Sequence, residues 1–159
     1  MRILKSRQLV QDTWKTLSAD DPLTDGDVIL PFTRWLNDKD AFVSHNGKVG
    51  VLISSDTNIN KVIENLSYFD LVALNFPKYT DGTCFSYAFL LRERHKFTGE
   101  LRAVGDIFRD QFSYLERCGI DAIQLDDENE LEIAKKSFED ISINYQHSAD
   151  KNESINCVR

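Results

Sequence analysis

The chain has 159 residues, 42% of them hydrophobic and 28% charged, which excludes a wholly disordered chain and favours one domain with a real core. The chain has 26 acidic and 19 basic residues. The resulting formal net charge of −7 disfavours binding to nucleic acid or to anionic lipid. No apolar run reaches the roughly 20 residues of a membrane span, and the N-terminus turns polar too soon for a signal peptide, so we expect no membrane association and a cytoplasmic location.

The N-terminal part of the chain has a pattern of its own. Apolar and polar residues alternate loosely from Ile3 to Trp14, which predicts a small antiparallel β-hairpin. After a turn-rich stretch, Val28–Leu30 has the composition of another short strand. Pro31 is then in a favourable position to open a helix that carries Trp35.

From Val49 onward the chain repeats one kind of unit, a short apolar run followed by an amphipathic stretch of helical length. Strands are predicted to begin at Val49, Leu71, Leu101 and Ala122. This alternation predicts an α/β fold with four consecutive βα units and a parallel sheet, preceded by the hairpin. The sheet is either half-barrel-like or open, and we favour the curved form because consecutive strands are expected to be neighbours.

Each predicted helix presents apolar residues at helical spacing. These faces comprise Ile59, Val62, Ile63 and Leu66 in the first helix, Phe108, Phe112 and Leu115 in the third, and Leu131, Ala134, Phe138 and Ile141 in the fourth. The second helix is predicted to begin near Phe85. Asp56, Thr57 or Asn58 is expected to cap the first helix, and Asp106 the third. Residues 1–145 are thus predicted to form a single α/β domain, and residues 146–159 a mobile polar tail.

Cysteine and histidine give little support for metal or nucleophilic chemistry. The cysteines, Cys84, Cys118 and Cys157, are odd in number and far apart, which favours reduced thiols over disulfides or a zinc site. Cys84 lies near a predicted helix start, where a lowered pKa is conceivable, but a small buried thiol is the more frequent arrangement. No nucleotide-binding glycine motif follows a strand, so we expect no bound cofactor. Because the cysteines and histidines lack the spacing of metal ligands, we also expect no metal.

Polar side chains collect where the second and third predicted strands end, the edge at which parallel sheets bind ligands. We expect one polar cluster that binds a ligand or a partner, formed by Asp81, Arg102, Asp106, Arg109, Asp110 and Gln111. Simpler structural roles exist for each: Asp81 can cap a helix in an ordinary turn, and Arg109 and Asp110 can form a solvated surface pair. Arg102 lies within a strand covered on both faces, where a structural ion pair is the favoured interpretation.

The central stretch resembles a known bacterial family. The matching residues are Asp81-Gly82, Phe85-Ser86, Leu91-Arg92, Gly99 to Ala103, Gly105-Asp106, Arg109 to Gln111, Cys118-Gly119 and Asp121-Ala122. The resemblance covers roughly Arg2 to Ile141 and is densest between Asp81 and Ala122. Members of that uncharacterised family are described as oxidoreductases involved in sulfite reduction, and they are encoded beside assimilatory sulfite reductase.

The resemblance implies a link to sulfur assimilation but supplies no reaction. The residues show no flavin, haem, nicotinamide or iron–sulfur motif, so we expect an accessory protein that supports sulfite reductase, or another sulfur-assimilation protein, by binding. One alternative is a small enzyme with a polar site at the carboxyl ends of the parallel strands. Another is a binding module outside sulfur metabolism.

Overall fold

The computed structural model describes residues 1–76 and 82–140. Within this part of the chain the strands are β1 (Arg2–Lys5), β2 (Gln8–Gln11), β3 (Lys15–Thr16), β4 (Val28–Pro31), β5 (Val49–Ile53), β6 (Leu71–Phe76), β7 (Glu100–Gly105) and β8 (Ala122–Ile123). The α-helices are α1 (Phe32–Asn37), α2 (Lys39–Val43), α3 (Ile59–Glu64), α4 (Thr83–Phe89), α5 (Phe112–Arg117) and α6 (Glu128–Asp140). Short 3₁₀ turns cover Leu66–Tyr68 and Arg109–Gln111, and a π-helical turn covers Leu90–Arg94.

All the described strands belong to one sheet, in the order β2-β1-β8-β7-β6-β5-β4-β3. The strands from β3 to β8 pair in parallel, while β1 is antiparallel to both β2 and β8. The predicted parallel strands and the N-terminal hairpin are therefore confirmed. The parallel run also begins earlier than the four predicted units, because β4 pairs in parallel with β5.

The sheet curls strongly, and the chain length between its two edge strands explains why. Strands β2 and β3 lie at opposite ends of the strand order, yet only residues 12–14 connect them. Four Cα steps from Gln11 to Lys15 reach at most about 15 Å, whereas a flat sheet of this many strands would be about 34 Å wide. The two edges must approach each other, so the sheet forms the expected open half-barrel.

The helices pack against the outer face of this curled sheet. Neighbouring parallel strands joined by right-handed crossovers place every connecting helix on the same side. The outer core joins buried strand residues such as Val51 and Leu74 to helix residues such as Trp35 and Leu115. On the inner face a smaller cluster contains Ile29, Leu71 and Ala73, and Trp14 from the 12–14 connection packs against it together with Leu52 and Val104.

The segment after β7 differs from the prediction. The third helix, α5, begins only at Phe112, so the expectation that Asp106 caps it is wrong. Phe108, expected on the buried helix face, lies in extended backbone and is 47% exposed, whereas Phe112 is buried as predicted. The cause is local: Gly105 turns the chain at a φ of +101°, and Ile107 then enters the core, which keeps the chain extended through Phe108.

The other boundaries differ less. Of the candidate caps of α3, Asn58 is the one used, since its side-chain oxygen accepts a hydrogen bond of 3.1 Å from the Asn60 N–H. Helix α4 begins at Thr83, two positions before the predicted start, and β8 is only two residues long. The predicted face of α6 is buried at Leu131, Ala134 and Phe138. Ile141 and the tail, 146–159, lie outside the described residues.

Among residues 1–76 and 82–140, no helix combines the length and apolar character needed to cross a bilayer.

Candidate functional site at the carboxyl edge of the sheet

A cavity of 740 Å³ opens where β6, β7 and β8 end, against the N-terminal half of α6. We call it the carboxyl-edge cavity. This is the edge at which α/β sheets place their ligand sites, because the loops and helix N-termini that follow the strands converge there. Its volume is within the range of ordinary small-molecule sites.

Gly105 shapes part of the cavity lining. Its φ of +101° is accessible to glycine at little cost, and a Cβ at this position would lie 2.6 Å from the Phe76 carbonyl oxygen. The same Cβ would lie 2.7 Å from Asn75 Oδ1. The next residue, Asp106, donates its backbone N–H to the Phe76 carbonyl at 2.8 Å. The chain therefore folds tightly against the end of β6, and Asp106 lies at the cavity wall.

The polar part of the lining is mostly acidic. It consists of Asn75, Asp106, Arg109, Asp126, Asp127 and Glu130. Four carboxylates and one guanidinium give this set a formal charge of −3. Asp127 has a structural role as well, since its Oδ1 accepts a 2.8 Å hydrogen bond from the Asn129 N–H at the start of α6.

The apolar part of the lining has a buried floor and an exposed rim. It consists of Phe76, Ile107, Phe108, Phe112, Leu125 and Ile133. Phe108 is 47% and Ile133 43% exposed, while the other four are in the core. A cavity of this kind can accept an apolar group from outside, and the rim side chains lose water contact when it does.

The structure brings together only some of the residues predicted to form one cluster. Asp106 and Arg109 both line the carboxyl-edge cavity. Asp110 and Gln111 belong to the same 3₁₀ turn as Arg109, and Gln111 Oε1 accepts a 3.0 Å hydrogen bond from the Phe108 N–H. Gln111 thereby holds the backbone of the rim residue Phe108. Asp81 lies outside the described residues.

Arg102 belongs to a separate polar network on the inner face of the sheet. Its side chain is 1% exposed, and its Nη1 and Nη2 atoms lie 2.9 and 3.1 Å from the two carboxylate oxygens of Asp12. Arg102 Nε donates to Glu100 at 2.8 Å, and Nη1 also donates to Gln124 at 3.3 Å. Glu100 accepts in addition from Lys5 Nζ at 2.6 Å. The predicted structural ion pair of Arg102 is confirmed.

The described thiols are buried side chains. Cys84 is 1% exposed and its Sγ donates to the Asn75 carbonyl at 3.2 Å, which confirms the interpretation as a small buried thiol. Burial raises the pKa of the Cys118 thiol above its ordinary value of 9.0. Across residues 1–76 and 82–140, no three His, Cys, Asp or Glu side chains come together as potential metal ligands. Cys157 is not among these residues.

Among the cavity residues that sequence reasoning did not predict are Phe108 as a rim residue, Glu130 and Ile133. For Ile133 a signal existed, because it lies off the helical stripe formed by Leu131, Ala134 and Phe138 and is therefore an apolar residue without a place in the core. For Phe108 the sequence signal was misleading, because its helical spacing with Phe112 predicted a position on the buried face of a helix.

Comparison with known proteins places the chain in a family. A family model for a bacterial protein of unknown function (DUF934) matches residues 50–156, which is more than half of the chain and runs from the second residue of β5 through α6. The comparison found no match among curated proteins or among solved structures. The chain belongs to the DUF934 family of bacterial proteins of unknown function.

Proposed function

We propose that this protein is an accessory component of assimilatory sulfite reduction that supports sulfite reductase by binding. The link to sulfite reduction rests on the residues between Asp81 and Ala122, where the chain resembles a family encoded beside sulfite reductase. The observation that carries the binding role is the carboxyl-edge cavity with its exposed rim residues, Phe108 and Ile133. The rim residue Phe108 lies inside the segment of densest resemblance.

The rim has the character of a protein-binding surface. Large apolar side chains that line a concave surface and remain exposed are typical of interaction sites, and aromatic side chains supply much of the binding energy there. The backbone of Phe108 is also pre-ordered, because its N–H donates a hydrogen bond of 3.0 Å to Gln111 Oε1. A pre-ordered anchor loses less conformational entropy when a partner binds, which favours affinity.

A second function, a small enzyme, has one observation in its favour. Asp106 and Arg109 line the same cavity, so a carboxylate and a guanidinium lie at the edge where α/β enzymes carry their catalytic groups. An enzyme would act at amounts far below those of sulfite reductase. An accessory protein acts only when bound, so its effect saturates at a fixed ratio to the reductase.

Deletion of the gene in its bacterial host tests the place in metabolism. Growth is measured with sulfate, sulfite, sulfide or cysteine as the only sulfur source, with the wild-type gene on a plasmid as the control. We expect slow growth on sulfate and on sulfite, and normal growth on sulfide and cysteine. Normal growth of the deletion strain on sulfite would overturn the proposal.

An assay with purified proteins separates the two functions. Purified sulfite reductase is supplied with its electron donor, and sulfide formation is followed as this protein is added. The accessory role predicts a rate that rises and then saturates near one equivalent of protein. Full stimulation at a hundredth of an equivalent would favour the enzyme instead.

A further inference from the structure

We infer that the carboxyl-edge cavity receives a basic segment of the partner protein, an arginine or lysine side chain with an apolar neighbour. This inference rests on the proposed role of the cavity as the partner-binding site. It adds the chemistry of the partner, which neither the family nor the fold supplies.

The charge of the cavity selects against anions. Asp106, Asp126, Asp127 and Glu130 are exposed carboxylates, and Arg109 is the single cation among the described lining residues, so the formal sum is −3. The N-terminus of α6 offsets this by only about half a positive charge. The whole chain adds a field of the same sign, with a net charge of −7. Sulfite and sulfate are therefore disfavoured in this cavity, and a cation is favoured.

The apolar lining selects the kind of cation. A bare metal ion gains nothing from Phe108 and Ile133, whereas the methylene stem of an arginine or lysine packs against such side chains while its charged end stays near water. The combination of acidic wall and aromatic rim thus fits a basic segment with an apolar neighbour.

A titration with defined dipeptides tests this inference on the full-length protein. The probes are acetylated, amidated Leu-Arg and two matched analogues in which arginine is replaced by neutral citrulline or by glutamate; inorganic sulfate is the fourth probe. Backbone amide signals of ¹⁵N-labelled protein are followed by NMR. We expect saturable shifts at Gly105, Phe108 and Ile133 with Leu-Arg, and affinities at least about fivefold weaker with the citrulline analogue.

Two variants check that the carboxylates are responsible. We expect the Asp126→Asn/Glu130→Gln variant to bind Leu-Arg about tenfold more weakly. The matched control, Asp20→Asn/Asp25→Asn, removes two exposed carboxylates on a different loop and should keep the wild-type affinity. Raising the salt concentration should weaken Leu-Arg binding to the wild type, because the attraction is between exposed charges.

Three results would overturn the inference: no saturable binding of Leu-Arg, equal affinity for Leu-Arg and its citrulline analogue, or saturable shifts of the same amides with sulfate or the glutamate analogue. Its failure is distinguishable from failure of the sulfur-assimilation role. Binding of Leu-Arg together with normal growth of the deletion strain on sulfite supports the basic segment and overturns the metabolic role. Slow growth on sulfite without Leu-Arg binding supports the metabolic role and overturns the basic segment.

Discussion

Arg102 and Asp12 are 90 positions apart in the chain, yet they form a two-pronged ion pair with nitrogen–oxygen distances of 2.9 and 3.1 Å. Asp12 lies in the short connection between β2 and β3, and Arg102 lies on β7. The pair therefore fixes that connection to the inner face of the sheet. The paired carboxylates and the further hydrogen bonds offset the desolvation cost of the buried guanidinium.

Removal of Arg102 should destabilise the fold strongly. In an Arg102→Met variant the carboxylate of Asp12, only 8% exposed, loses its ion-pair partner. The carboxylate of Glu100, 9% exposed, loses one of two cations and retains Lys5. We expect the free energy of unfolding to fall by about 3–5 kcal/mol in urea denaturation. The control is Arg94→Met, at an exposed arginine, for which the expected change is within about 0.5 kcal/mol. Equal stability of the two variants would show that the ion pair does not support the fold.

Gly105→Ala should be costly although it adds only one methyl group. The φ of +101° is unfavourable for alanine, and the new Cβ would lie 2.6 Å from the Phe76 carbonyl oxygen. We expect a loss of about 1–3 kcal/mol in the free energy of unfolding. Gly82→Ala is the matched control, because a Cβ there meets no atom of the described residues within 4 Å. A loss of the same size in both variants would contradict this explanation of Gly105.

Stability should decrease in alkaline solution through Cys118 and Tyr114. Burial raises the pKa of Cys118 above 9.0, and the Coulombic effect of Cys118, followed by burial, raises the pKa of Tyr114 above 10.0. Both groups bind their proton more tightly in the folded state, so their contribution is complete below the unfolded pKa values and is lost as the pH rises through the folded ones. Urea denaturation between pH 7 and 11, under reducing conditions, measures this loss.

The Cys118→Ala variant separates the alkaline loss of stability caused by Cys118 and Tyr114 from the effects of other titrating groups. It removes the thiol and the main cause of the raised pKa of Tyr114. We expect its stability to fall less between pH 8 and 11 than that of the wild type. An identical decline in both proteins would assign the alkaline loss to other residues.

Arg109→Ala should strengthen the binding of a basic probe. The substitution changes the formal charge of the described cavity lining from −3 to −4. We expect the Leu-Arg dipeptide to bind a few-fold more tightly, as measured by NMR titration. Arg94→Ala changes the total charge equally, away from the cavity lining, and should have a smaller effect. Weaker binding to Arg109→Ala would mean that this guanidinium contacts an acceptor on the probe.

Much of the fold could be predicted because it depends on local patterns. Short apolar runs with helical stretches between them identified β5 to β8, and the alternation after Ile3 identified the hairpin. The need of Arg102 for a carboxylate could also be predicted, since a strand buried on both faces gives its guanidinium no access to water. The identity of its partner could not be predicted, because Asp12 comes close to Arg102 only through the curl of the whole sheet.

The carboxyl-edge cavity was harder to predict because its rim breaks the local pattern. Phe108 and Phe112 have helical spacing, but the turn at Gly105, with its positive φ, and the burial of Ile107 delay the helix and leave Phe108 exposed. The same spacing led to the wrong expectation that Asp106 caps the helix, because it predicted an earlier helix start. The edge itself was predictable, since the end of any parallel strand marks it, and Asp106 and Arg109 were found there.

Binding of this protein to purified sulfite reductase, compared between Phe108→Ser and Phe89→Ser, tests the central claim most directly. Both substitutions remove an aromatic ring that is about half exposed, 47% for Phe108 and 50% for Phe89, but only Phe108 lines the carboxyl-edge cavity. In isothermal titration calorimetry we expect Phe89→Ser to bind like the wild type, and Phe108→Ser to bind at least about tenfold more weakly. Equal affinity of both variants, or no binding by the wild type, would contradict the account.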